Sequence, residues 1–346
     1  RDHDRGDRRA RPGAAGAASR SAAPWGEGDV MTMRIENVAV LGAGIMGHAL
    51  ALVHALGGCR VALQDVSAAA REKAPALIDA ALSTLVEGGE VGRDAAAAAR
   101  ARITVMADLA PALVDRDLVV EAVVEDPAVK RALFAEIDAH APRQALIASN
   151  TSYLDIFPMI PPARARTSLI AHWYTPPYLV DLVDLVGGEA TDPEAVETLR
   201  ALYDSWGKKP VVLPRFIPGY VANRLQAALS REVFFLLDEG YASAQDIDDA
   251  VIHGLALRIP LLGHLKKADF TGLDLTRRAL ANATVKLAPD KTHSATLDRL
   301  VDAGRTGVMS GAGFFDYGDR SPDELFRARD ERLLSLKRHL RRIGDI

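Results

Sequence analysis

Gly42-Ala43-Gly44-Ile45-Met46-Gly47 follows the apolar run Asn37-Val38-Ala39-Val40-Leu41 without a spacer and opens onto HALALVHALGG, a helical pattern. Few local patterns restrict a chain as much. A glycine at the first position permits the tight turn out of a strand, the second lets backbone approach a pyrophosphate, and the third lets helix and strand pack closely. The helix N-terminus then faces the phosphates with unpaired N–H groups. Asp65 closes the next apolar run, 23 residues after Gly42, where a carboxylate can accept from ribose hydroxyls. An acid there disfavours a 2′-phosphate. The expected cofactor is therefore NAD, held by Gly42, Gly44, Ile45, Met46, Gly47 and Asp65.

From Asn37 onward short apolar runs alternate with longer helical patterns, the signature of a parallel sheet with helices on both faces. Strands are expected at 37–42, 60–65, 101–106, 118–123, 145–150, 167–172 and 182–186, in a sheet of about six to eight strands. Between Ser67 and Arg100 an alanine-rich stretch broken by Gly88-Gly89 reads as two helices joined by a turn. Near Lys208 the alternation stops, and Pro214 and Pro218 mark a boundary. Beyond it Val221–Glu239, Leu273–Leu287 and Leu297–Ala303 are helical patterns, and Ser243-Ala244-Gln245-Asp246 is a capping box. The expected fold is α/β, a Rossmann-like, mostly parallel, doubly wound sheet followed by an all-α C-terminal domain. Its divisions are an N-terminal extension at 1–34, an NAD-binding domain at 35–214, a helical domain at 215–320 and a basic amphipathic helix within 321–346.

A chain of 346 residues with 49% hydrophobic and 25% charged residues can bury two cores, and a net charge of −4 offers no electrostatic attraction for nucleic acid or an anionic membrane. No apolar run approaches the roughly 20 residues of a membrane span. Cys59 is the only cysteine, which excludes an intrachain disulfide and fits a cytoplasmic location. His253, His264 and His293 lack metal-ligand spacing, so no metal site is expected. The first 30 or so residues, rich in Arg, Ala and Gly, contain no apolar segment of a secretory signal and read as disordered, with Met31 or Met33 as the expected translation start. The apolar helices of the second domain favour a homodimer.

Ligands of an open parallel sheet gather at the carboxyl ends of its strands. Asn150 and Ser152 follow the run ALIAS, and His172 ends TSLIAH, so all three fall on the rim where a nicotinamide would lie. A neutral histidine there can take a hydroxyl proton while the carbon beneath gives hydride to the cofactor. A carboxylate would steady the ring. Asp181 and Asp184 have opposite parity, so a regular strand sends one to each face.

The glycine loop, VVEAVVEDPAVK (119–130), SNTS (149–152), His172, PGYVANRL (218–225) and GAGFFDY (311–317) together resemble the 3-hydroxyacyl-CoA dehydrogenase family over residues 35–320. The resemblance implies an NAD-dependent oxidation of a 3-hydroxyl to a 3-ketone. It implies His172 as base, Asp184 as its partner, Ser152 and Asn223 as holders of the substrate oxygen and the histidine region, and Glu125 and Lys130 beside the cofactor.

Two positions depart from the family pattern. Asp184 stands where the family has Glu, leaving the carboxylate one methylene short, and Thr175 replaces the Asn that usually follows the histidine by three residues. Pro176-Pro177-Tyr178, Asn223-Arg224-Leu225-Gln226 and the tail RARDERLLSLK resemble the lambda-crystallin, L-gulonate and carnitine dehydrogenase branch, whose substrates are free 3-hydroxy acids or analogues, whereas KKADFTGLDL (266–275) is similar to the acyl-CoA branch. The expected substrate is a 3-hydroxyacyl-CoA, with a free 3-hydroxy acid as the alternative. A weakly active, crystallin-like NAD-binding protein is a further reading. The 6-phosphogluconate and 3-hydroxyisobutyrate dehydrogenases share the glycine fingerprint but use a lysine on a helix.

Overall fold

The computed structural model describes residues 33–344. All but the last two residues of the expected N-terminal extension lie outside that range.

The chain runs β1 (Asn37–Leu41), α1 (Gly47–Leu56), β2 (Arg60–Gln64), α2 (Ala68–Glu87), α3 (Arg93–Ala101), β3 (Ile103–Met106), α4 (Leu109–Leu113), β4 (Leu118–Glu121), α5 (Pro127–His140), β5 (Leu146–Ser149), β6 (Ser168–Trp173), β7 (Leu182–Gly187), α6 (Pro193–Ser205) and β8 (Lys209–Leu213). Helices follow: α7 (Ala222–Asp238), α8 (Ala244–Asp249), α9 (Ile259–Thr271), α10 (Leu273–Leu280), α11 (Ala295–Asp302) and α12 (Pro322–Ile343). A π-helical stretch, Ala250–Ala256, links α8 to α9. The expected doubly wound sheet and helical second domain are both present.

The eight strands lie in the order β3-β2-β1-β4-β5-β6-β7-β8, parallel except where β6 meets β7. Alternate residues of the parallel strands feed two separate cores, as a sheet covered on both faces requires. Val38 and Val40 pack with Leu50 and Leu63 beneath α1, while Ala39 and Leu41 pack with Phe134 and Ile137 beneath α5. Each fully buried leucine or valine contributes about 1.5–3 kcal/mol. The order reverses between β2 and β4 around β1, so a crevice opens at the carboxyl ends of β1 and β4.

β8 was not among the expected strands: it follows Lys208, where the alternation was read to stop, and falls inside the expected 35–214 domain. It pairs in parallel with β7, and Pro210 is tolerated because this is the edge strand, with one side free of ladder bonds. Several other strands start or stop one or two residues from their expected limits, and His172 lies inside β6. The helical pattern that starts at Leu273 stops at Leu280, short of Leu287.

The tail helix α12 turns back onto the first domain. Its capping box pairs Ser321 with Glu324, Leu334 is buried where a Cβ on Gly88 would touch it, and Lys337 donates to Asp181 at 2.5 Å and to the Leu179 carbonyl at 2.8 Å. Lys208 reaches the same segment, donating to the Pro177 carbonyl at 2.7 Å and lying 3.4 Å from Asp181. The β6–β7 connection is thus clamped from two sides.

Candidate active site

The glycine loop has the shape that a dinucleotide needs. Gly42 has φ +97°, and a Cβ on it would meet the Ala122 carbonyl oxygen at 2.6 Å, so β1 and β4 approach too closely there for any side chain. A Cβ on Gly47 would fall 1.6 Å from the Gly42 carbonyl oxygen. Around Gly44 there is open space, and Ile45 beside it is 79% exposed, a cradle whose wall a phosphate group can approach. Asp65 accepts from the Ala43 N–H at 2.7 Å with one oxygen and from the Ser67 N–H at 2.7 Å with the other. It therefore fixes the glycine loop and keeps lone pairs for ribose hydroxyls. His48 in the first turn of α1 is held down from its ordinary pKa by burial, which the Gly44 carbonyl at 2.7 Å partly opposes.

Behind the rim lies a buried ionic network. Glu121, at the end of β4, receives both Lys130 at 2.6 and 2.8 Å and the Ser149 hydroxyl at 2.5 Å. Lys130 is fully buried, so it acts through Glu121 and through Glu125, whose carboxylate is 3.3 Å away. Glu125 in turn accepts from the Thr151 hydroxyl at 2.6 Å and the Ser152 and Tyr153 N–H groups at 2.7 and 3.1 Å. Burial pushes its carboxyl up, but Thr151, Tyr153, Lys130 and Ser152 outweigh this and hold it below the ordinary glutamate value. The chain from Lys130 to Ser152 sets the loop after β5. Asn150 spans the neighbouring gap, its side-chain oxygen accepting the Trp173 N–H at 2.8 Å.

His172 and Asp184 stand directly opposite one another in the antiparallel β6–β7 register. That register answers the parity question: Asp184 shares the face of His172, while Asp181 belongs to the clamp of Lys208, Lys337 and Arg341. Nδ1 of His172 lies 3.5 Å from Oδ2 of Asp184, beyond ordinary hydrogen-bond length, so the missing methylene leaves a real gap. On the other side of the ring, the Ser152 hydroxyl lies 3.2 Å from Nε2. A proton on Nδ1, toward the carboxylate, leaves Nε2 free to accept from Ser152 or from a substrate hydroxyl.

Two aromatic side chains complete the site. Tyr220, with φ +51°, is fully buried, packs its ring 4.7 Å from that of His172 and donates to the Thr151 carbonyl at 2.6 Å. The only hint of it was its place in PGYVANRL. Tyr174 meets the imidazole edge-on at 4.6 Å and donates to Oδ2 of Asp184 at 2.5 Å. Its neighbour Trp173 points to the opposite face and packs on Tyr203 in the core. Asn223 lies in the first turn of α7. Thr175 donates to the Met46 sulfur at 3.0 Å, joining the segment after His172 to the glycine loop.

Comparison with known proteins agrees with this geometry. The NAD-binding domain of 3-hydroxyacyl-CoA dehydrogenase matches residues 37–216, and the C-terminal domain matches residues 219–317. The chain belongs to the 3-hydroxyacyl-CoA dehydrogenase family. It is an NAD-dependent dehydrogenase acting on hydroxyl groups.

Its similar relatives in the family act on different substrates. L-carnitine dehydrogenase of Nocardiopsis dassonvillei is 33% identical, with 89% of this chain and 93% of that protein covered. 3-Hydroxybutyryl-CoA dehydrogenase of Bradyrhizobium diazoefficiens is 34% identical, with 84% and 99% covered. Among solved structures, 5-formyl-3-hydroxy-2-methylpyridine 4-carboxylic acid 5-dehydrogenase, described as an NAD+-dependent dismutase, has a TM-score of 0.81 at 29% identity, covering 90% of this chain and all of that one. Among the described residues no helix is long and apolar enough to cross a membrane, and no group of three or more His, Cys, Asp or Glu side chains is arranged to hold a metal ion.

Proposed function

We propose that the protein oxidises the secondary hydroxyl of a hydroxy acid or its thioester, with His172 as the general base. The observation that carries this reading is the constellation of Ser152, His172 and Asp184 at the rim beside the glycine loop. Bound NAD supplies the hydride acceptor. Gly44 and its neighbours would hold the phosphates, Asp65 the adenosine ribose, and Asn150 the nicotinamide end. Ser152 orients the hydroxyl, and the Nε2 lone pair of His172 takes its proton. Asp184 then faces an imidazolium, whose charge it offsets across the sheet. Glu125 and Lys130 hold the Ser152 loop in place. Asn223, at the start of α7, closes the site from the second domain.

For the substrate, the fold likeness favours a small free acid. At nearly equal identity the TM-score is 0.81 for the pyridine carboxylate enzyme and 0.65 for (S)-3-hydroxybutyryl-CoA dehydrogenase from Ralstonia eutropha. A coenzyme A thioester is the second reading, favoured by the 34% identity to the Bradyrhizobium enzyme. An absorbance screen at 340 nm over carnitine, gulonate and 3-hydroxybutyryl-CoA separates the two. NADH formation with free acids alone supports the first reading, and formation with the thioester alone rejects it.

The second domain is proposed to be covered by a second copy of the chain. None of the residues of α7, α9, α10 and α11 is buried, although Leu225, Leu265, Phe270 and Leu280 are 64–90% exposed. Apolar area on this scale marks an interface.

A further inference from the structure

We propose that Tyr174 is a positioning residue for the reaction, its hydroxyl standing in for the methylene that Asp184 lacks and fixing the carboxylate that faces His172. The inference rests on the reading of His172 as base. Oδ2 of Asp184 is the oxygen that faces Nδ1 of His172 at 3.5 Å, and the same oxygen accepts the Tyr174 hydroxyl at 2.5 Å. Nδ1 of His172 and Oδ1 of Asp184 are both buried without a hydrogen-bond partner. Tyr174 is thus the group that spends a full-strength hydrogen bond on this fully buried carboxylate.

The terminal torsion of an aspartate is broad, so a short carboxylate with no donor turns freely about it. The phenol removes that freedom. It selects the orientation in which Oδ2 faces the imidazole, and a charge formed on the ring during turnover meets a carboxylate already in place. The phenol is itself held, because its ring lies edge-on against that of His172. Burial first, and then the bond to Asp184 and its charge, raise the phenol well above its ordinary pKa, so it stays a donor throughout the neutral range. A glutamate at position 184 would carry its carboxyl into the space that this hydroxyl takes up. The short acid and the tyrosine are one arrangement.

The test is a cycle of Tyr174→Phe, Asp184→Glu and the double variant in the full chain, assayed with NAD and whichever member of the substrate panel is turned over. Tyr174→Phe is expected to lower kcat roughly 10- to 100-fold, with KM and NADH affinity changed less than about threefold. The double variant is expected to recover to within about threefold of wild type, because the longer acid reaches His172 through the vacated space. Crystals of Tyr174→Phe with NADH give a reading without any substrate: Oδ2 of Asp184 should leave its place facing Nδ1. Full kcat in Tyr174→Phe, a double variant no better than Tyr174→Phe, or an unmoved Oδ2 would each overturn the proposal. Failure of the base assignment is a separate result, seen as turnover retained by His172→Ala.

Discussion

His172 and Asp184 are direct cross-strand neighbours in the one antiparallel pair of the sheet, with 3.5 Å between Nδ1 and Oδ2. Both are almost wholly buried, at 3% and 0% exposure, so neither can be replaced by solvent. Toward the imidazole, a carboxylate at that distance acts through its charge. Asp184→Asn keeps the shape and removes the charge, and is expected to lower kcat by roughly 100-fold with NADH affinity unchanged. Steady-state kinetics beside a fluorescence titration with NADH checks both halves.

Asp65 accepts from the Ala43 and Ser67 N–H groups and is proposed to meet the adenosine ribose. Asp65→Ala is therefore expected to weaken NADH binding by about 10- to 100-fold, the worth of a charge-assisted hydrogen bond. Discrimination against NADPH should narrow at the same time, since the acid that opposes a 2′-phosphate is gone. Parallel titrations with the two cofactors measure the ratio, and an unchanged ratio would remove Asp65 from the ribose site.

Lys208 gives a pH dependence of known sign. Burial, only partly offset by Asp181, pushes its ammonium down to about 8 from an ordinary value of 10.5. In the folded chain it loses its proton first, so between those values the unfolded state binds more protons and stability rises with pH. Below pH 8 both states carry the proton and the slope vanishes. Urea unfolding of wild type and Lys208→Met across pH 7 to 10 should show this rising component in wild type only.

The apolar surface of the second domain predicts association. Leu265 and Leu280, at 81% and 90% exposure, are expected to be covered by a second copy. Light scattering should give twice the chain mass, and Leu265→Glu with Leu280→Glu should shift it to monomer or to precipitate. A wild-type monomer at micromolar concentration would contradict the proposed interface.

Much of this was legible in the chain because local patterns and global fold agree. The glycine loop, Asp65 and the strand ends at Asn150 and His172 follow from periodicity and strand order alone. β8 was missed because Lys209-Pro210-Val211-Val212-Leu213 is short and carries a proline, which an edge strand accepts and a central one does not. The family resemblance implied Asp184 over Asp181, and the β6–β7 register supplies the geometric reason that parity could not. The roles of Tyr174 and Tyr220 were not legible for another reason. Their roles depend on where the chain returns after β8, and no local pattern encodes that meeting of segments distant in sequence. Glu121 was hidden inside an apolar run, its charge balanced by Lys130 nine residues away.

The most direct test is the rate of NADH formation at 340 nm by wild type and His172→Ala, with NADH binding measured on both. Wild type should reduce NAD with at least one hydroxy acid or thioester of the panel. His172→Ala should bind NADH normally and turn over roughly 100-fold more slowly or worse. Equal measurable rates in the two proteins would contradict His172 as the base, and a wild type that binds NADH and is silent across the whole panel would favour a dinucleotide-binding protein without turnover.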